Sequence, residues 1–140
     1  MKVRRYNSKD YEAVAALYKR TDLYGGRFDE NRDSKERLRK RIEADPDAIF
    51  VAEHNGNIVG TVSLIEDFRV AWLFRFVIDQ KEQEAKIATE LCDKAIRILK
   101  SKGHNQVLVY TPLENRKLSS RYEHLGFNKG SNYTCYWKDI

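Results

Sequence analysis

The stretch AWLFRFVIDQKEQEAKIATELCDKAIRILKSKG, residues 71–103, decides the fold. Trp72, Phe74, Phe76 and Ile78 recur with the period of a strand. After a short polar segment the period becomes that of a helix. Ile87, Leu91, Ala95 and Ile98 form one stripe, widened by Ala88, Cys92, Ile96 and Leu99, so the helix has a broad apolar face suited to lying on a sheet. Lys100 and Lys102 followed by Gly103 close it, cations and then glycine at the C-terminus. Such a strand–turn–helix unit aims the free N–H groups of the first helical turn, at Glu84 to Ala88, into the crevice beyond the strand's end. An anion can sit there.

Working outward, residues 1–6 alternate with Val3 inward and read as a first strand. Ser8 caps a helix carrying Tyr11, Val14, Ala15 and Tyr18, with Glu12 near its first turn. Tyr24, Gly25, Gly26, Arg27 and Phe28 break it in a loop that either covers a site or simply connects. Asp33 or Ser34 caps a second helix, with Leu38 and Ile42 inward, which ends at Asp45-Pro46-Asp47. Residues 48–53 and 58–65 are strands joined by His54-Asn55-Gly56-Asn57, and the Asn-Gly pair predicts a tight hairpin. Beyond the central helix, residues 106–111 (QVLVYT) form another apolar strand, stopped by Pro112. A helix over residues 115–125 ends at Gly126, and Phe127, Tyr133, Cys135 and Trp137 belong to a last pair of strands. A meander followed by a strand–helix–strand crossover implies a mixed sheet covered by helices.

At 140 residues the chain suits one well-packed domain. No apolar run is long enough to span a membrane, and MKVRRYNSKD has no signal-peptide core, so a cytoplasmic protein is expected. Cys92 and Cys135 make no metal spacing and read as two buried, reduced thiols. The net charge of +5 favours acidic partners or an anionic ligand. Its densest cluster, residues 35–41 (KERLRKR), lacks interleaved aromatics and is diluted by Glu30, Asp33, Glu36, Glu43, Asp45 and Asp47. That argues for a solvated helix face, or a surface near a phosphorylated cofactor, over a nucleic-acid partner.

The element order, with IDQKEQEAKIA after the fourth strand and Asn115 followed by Tyr122-Glu123-His124-Leu125-Gly126-Phe127, resembles the GNAT superfamily of acyl-CoA-dependent N-acetyltransferases over essentially the whole chain. Gln83 and Ala88 match the first and last positions of that family's phosphate-binding signature, whereas Lys86 and Glu84 stand where glycines are frequent. The resemblance implies an α/β (α+β) fold, a single GNAT-like domain over residues 1–140, with a mixed, mostly antiparallel sheet of about seven strands flanked by about four helices. It implies acetyl-CoA as acyl donor, its pyrophosphate held by the backbone of Gln83, Glu84, Ala85, Lys86, Ile87, Ala88 and Thr89. The pantetheine arm would run along Phe76, Val77 and Ile78, where the fourth and fifth strands splay apart. Asn115 would bind the cofactor near that gap, and Tyr122 would protonate the departing thiolate. The Lys81 or Lys86 ammonium would offset the lost glycines.

The resemblance implies no clear base. The positions where relatives carry a glutamate hold Tyr110 and a residue near Trp72, which leaves the turn carboxylates Glu66 and Asp67 as fallbacks, while His54, His104 and His124 read as solvent-exposed. Cys92 has no histidine partner, so direct attack in a ternary complex is expected rather than a cysteine acyl intermediate. The acceptor is a primary amine of a small molecule or protein, selected by residues 24–32 and 66–70. The protein is expected as a monomer or homodimer. Two other readings stay open: a catalytically silent acyl-CoA-binding or sensor module, and a basic nucleic-acid-binding protein using Arg37, Arg39, Lys40 and Arg41.

Overall fold

A computed structural model describes residues 1–20, 27–80 and 84–140. They form two compact units, Met1–Tyr110 and Thr111–Ile140. In the first, four strands form an antiparallel sheet in the order β1 (Lys2–Arg5), β2 (Ile49–His54), β3 (Asn57–Glu66), β4 (Ala71–Ile78). The hairpin between β2 and β3 turns at Asn55 (φ +50°) and Gly56 (φ +78°), the two left-handed positions that an Asn-Gly turn supplies at little cost.

A 3-10 turn, Ser8–Asp10, leads into α1 (Tyr11–Arg20). Its cap is Asn7 rather than Ser8. The Asn7 side chain accepts from the Lys9 N–H at 2.9 Å, and the Asp10 carboxylate reaches back to the Asn7 N–H, also at 2.9 Å. Asp29 caps a single turn, α2 (Glu30–Asp33), and Ser34 caps α3 (Lys35–Ala44). Tyr6, Val14, Leu17, Tyr18, Leu38, Ile49, Val51 and Val77 pack into one buried cluster between α1, α3 and the sheet. On the basic helix α3, Arg39 pairs with Glu36 and Glu43, Lys40 with Glu36, and Arg41 donates to the Leu64 carbonyl.

The other face of the sheet carries α4 (Glu84–Ser101), which buries Ile87, Ala88, Leu91, Cys92, Ala95 and Leu99. Ile96 and Ile98 are only half-buried, so the buried stripe is narrower than the periodicity suggests. The helix lies this close because β3 presents Gly60 beneath it. A Cβ there would stand 2.9 Å from Ile87 Cγ2, 3.0 Å from Leu91 Cδ1 and 3.1 Å from Ile78 Cδ1.

Within β4 the fully buried side chains are Ala71, Leu73, Arg75, Val77 and Ile78, whereas Trp72, Phe74 and Phe76 are half-buried. The change of phase follows from a bulge. Ser63 of β3 faces Phe74 and Thr61 faces Val77, so Val62 alone opposes both Arg75 and Phe76, and Arg75 has φ +49°.

Among the described residues four strands stand where about seven are expected, and the shortfall has two sources. Residues 106–111 contribute a single parallel bridge, Trp72 to Leu108, closed by Leu73 N–H to Leu108 O and Leu108 N–H to Ala71 O, each 2.9 Å. The bridge lies before the bulge in β4. In the second unit, α5 (Arg116–His124) is the regular element. Residues 127–140 form no strand, and Tyr133, Tyr136 and Trp137 are at least 80% exposed. Alternation gives a segment the period of a strand, but a short isolated hairpin buries too little to hold. For the same reason Cys135 is exposed, contrary to expectation, while Cys92 is buried.

Candidate functional site

The unit that points to function is the descent from β4 into α4. Val77 and Ile78 are buried and held by pairing with Thr61 and Gly60, and the Asp79 N–H donates to Val59 O at 2.8 Å. Phe76, half-buried, follows the bulge directly. Residues 81–83, and with them Lys81 and Gln83, lie outside the described residues. In the first turns of α4, Ile87 and Ala88 direct their side chains into the core, so their only ligand-facing groups are main-chain ones. Ala85, Lys86 and Thr89 are exposed and Glu84 is half-buried. The Thr89 hydroxyl donates back to the Ala85 carbonyl at 2.9 Å. The arrangement is a helix N-terminus with a lysine in its first turn, pinned over Gly60 and preceded by a bulged strand. Its polarity suits an anion.

In the second unit, Asn115 caps α5, its Oδ1 accepting from the Leu118 N–H at 3.1 Å. Tyr122 is 9% exposed and meets the Phe127 ring edge-on, centroids 5.5 Å apart. The Phe127 N–H donates to Tyr122 O, and Gly126 between them has φ +88°. This is the glycine-ended helix stop in which the residue after glycine packs back on the last turn. Leu-Gly-Phe is therefore a folding signal as well as a motif.

Several groups occupy places the sequence did not disclose. Tyr110, at one position where the resemblance expects a glutamate, and Trp72, near the other, come together in space with ring centroids 4.6 Å apart and planes tilted by 51°. Glu66 is not a solvated turn residue. Its side chain is 7% exposed, accepts from the Phe68 N–H, and lies 2.9 Å from His104 Nε2 and 3.9 Å from Lys102 Nζ. The hydrogen bond from His104, aided by the Phe68 N–H, holds the Glu66 carboxyl below the usual carboxylate range. The His104 side chain is correspondingly buried rather than exposed. Asp67 caps its own turn. Its bonds from Arg69 and from the Arg69 and Val70 N–H groups lower its carboxyl to about 2. Both fallback bases are thus committed to local structure, at the end of β4 remote from the N-terminus of α4. Burial pushes the Cys92 thiol up to about 11, which keeps it protonated and unreactive.

Arg75 is the other group that was missed. Its Nε and Nη2 donate to the two Asp33 oxygens at 3.0 and 2.7 Å, with both side chains no more than 2% exposed. One sequence signal points to it: a lone charge in an otherwise apolar strand needs a buried partner.

Comparison with known proteins fits this architecture. The family model described as acetyltransferase (GNAT) family matches residues 11–127. An uncharacterized N-acetyltransferase of Methanocaldococcus jannaschii is 33% identical over 95 residues, covering 63% of this chain and 42% of that protein, so the chain spans less than half of that relative. An acetyltransferase of Pectobacterium atrosepticum is 27% identical over 127 residues, covering 91% of this chain and 87% of that protein. Among solved structures, the PaiA N-acetyltransferase of Thermoplasma acidophilum in complex with coenzyme A superposes with a TM-score of 0.78 at 22% identity, covering 94% and 92% of the two chains. With a match spanning most of the sequence and a shared fold around the β4–α4 unit, the chain belongs to the acetyltransferase (GNAT) family.

Proposed function

We propose that residues 1–140 act as one N-acetyltransferase domain that moves the acetyl group of acetyl-CoA to a primary amine by direct attack in a ternary complex. The observation that carries this reading is the bulged β4 running into the N-terminus of α4, in a chain of this family. The backbone N–H groups at the start of α4, from Glu84 to Lys86, would receive the pyrophosphate, with the rest of residues 84–89 forming the turn around it. Because they are main-chain donors, they survive the side chains that replace glycine at 84 and 86, and the exposed Lys86 adds positive charge in the same turn. The backbone of Phe76, Val77 and Ile78 would line the pantetheine arm. The Asn115 cap employs the carbonyl oxygen, so its amide nitrogen is the group suited to a ligand.

The Tyr122 phenol would supply the proton taken up by the departing thiolate. The attacking amine must be neutral, yet lysine-like amines are mostly protonated at pH 7. Trp72 and Tyr110 stand near the positions expected for a carboxylate, and Glu66 and Asp67 are engaged elsewhere, so none of these four described residues is placed to take that proton, and a water chain fits them best. Turnover should then climb with pH as the acceptor deprotonates. The test is thiol release from acetyl-CoA across a panel of polyamines, aminosugars and peptide amines. Acceptor-dependent release supports the enzyme. Acetyl-CoA binding without release for any acceptor would favour the second reading, a silent acyl-CoA-binding module, which the aromatic pair in place of a base also favours.

A further inference from the structure

We propose that the buried Asp33–Arg75 pair is a positioning device that fixes the β4 bulge and so sets the direction of the Phe76–Ile78 backbone toward the acyl donor; this rests on the acetyl-CoA reading above. Arg75 sits in the bulge with φ +49°, a conformation that a non-glycine residue keeps only when its surroundings over-determine it. What surrounds it is specific. The guanidinium is clamped by both Asp33 oxygens, at 3.0 and 2.7 Å, and lies 4.8 Å from the Phe74 ring centroid and 5.7 Å from that of Tyr18.

Asp33 is held in turn. Its Oδ2 accepts from the Asp29 N–H at 2.9 Å, and its carbonyl accepts from the Tyr11 hydroxyl at 3.0 Å. The pair therefore ties the bulge to α1 and α2, and α2 overlaps residues 24–32, the segment expected to select the amine, of which 24–26 lie outside the described residues. A two-pronged clamp fixes both distance and plane, which a single apolar contact could not do. Buried pairs add little net stability compared with apolar side chains of similar size, so stability alone is a weak account of this one. Its geometry accounts for it better.

The test compares wild type, Arg75→Lys and the double variant Asp33→Asn/Arg75→Met by acetyl-CoA calorimetry, thermal melting and amide NMR of residues 76–78. The double variant removes both charges together, and the side-chain amide introduced at position 33 keeps a carbonyl oxygen that can still accept from the Asp29 N–H. We expect it to melt cooperatively near the wild-type temperature, with the 76–78 amide resonances displaced and acetyl-CoA binding weakened about tenfold or more. Arg75→Lys keeps the charge but not the fork and should fall between the two. If the double variant does not fold, Arg75→Lys decides by the same two readouts. Folded variants with wild-type affinity and unmoved 76–78 resonances would overturn the proposal. Failure of wild type itself to bind acetyl-CoA would instead remove the acyl-donor reading, while the resonances would still report whether the pair holds the bulge.

Discussion

At the scale of the residue, Tyr122 has a packing role and a proposed chemical one, and the two can be separated. Its ring is half of the Tyr122–Phe127 contact that closes α5 against Gly126, and its hydroxyl is the group that can donate a proton. Tyr122→Phe retains the first and deletes the second. General acid catalysis contributes about 10²–10⁴-fold, and a thiolate leaves readily without much help, so a loss of about tenfold to a hundredfold in kcat is expected. Melting temperature and acetyl-CoA affinity should hardly change. The comparison needs one acceptor at saturating acetyl-CoA, so that the chemical step is read. An unchanged kcat where chemistry limits the rate would leave Tyr122 as the helix stop alone. The sequence could not separate these roles, because Leu-Gly-Phe is required by the helix stop whether or not the phenol reacts.

At the scale of the element, the placement of α4 depends on Gly60. Gly60→Ala puts a methyl group 2.9–3.1 Å from Ile87, Leu91 and Ile78, so either the side chains leave their rotamers or the first turns of α4 lift. Overpacking of this kind costs about 1–3 kcal/mol. Acetyl-CoA affinity should fall along with the melting temperature, since the displaced turns are those proposed to hold the pyrophosphate. A variant as stable as wild type with unaltered affinity would contradict this placement. Elements specified by neighbouring residues were legible in the sequence: the Asn55-Gly56 hairpin, a cap at Asp33 or Ser34 that the structure assigns to Ser34, most of the α4 stripe, and its Gly103 stop. What depends on distant partners was not. Residues 106–111 have the composition of a strand but, among the described residues, make a backbone bridge to β4 only at Leu108, and residues 127–137 alternate without forming a strand. The Arg75–Asp33 clamp spans 42 positions of sequence, and the only local hint of it is a charge in an apolar strand.

At the scale of the whole molecule, several buried or half-buried carboxylates are held ionised by specific partners. His104 and the Phe68 N–H lower the Glu66 carboxyl. Burial alone would raise Asp10 and Asp45, but Arg4 for Asp10 and Lys102 for Asp45 reverse it, and both end below the usual range. A carboxyl depressed on folding contributes stability that is present above its unfolded pKa of about 4 and is lost as pH falls through the folded value. The melting temperature should therefore hold from about pH 5 to 8 and drop below about pH 4. Glu66→Gln should melt several degrees lower at pH 7, with the gap to wild type narrowing by pH 3; a gap independent of pH would show that the Glu66 charge contributes nothing to this dependence. Ligand linkage provides the most direct test of the central claim, that the β4–α4 unit holds acetyl-CoA. Calorimetric titration of the wild-type protein with acetyl-CoA should give one site per chain, displaced by coenzyme A, with a melting temperature that rises with ligand concentration. Absence of both heat and a melting shift at millimolar acetyl-CoA would contradict it.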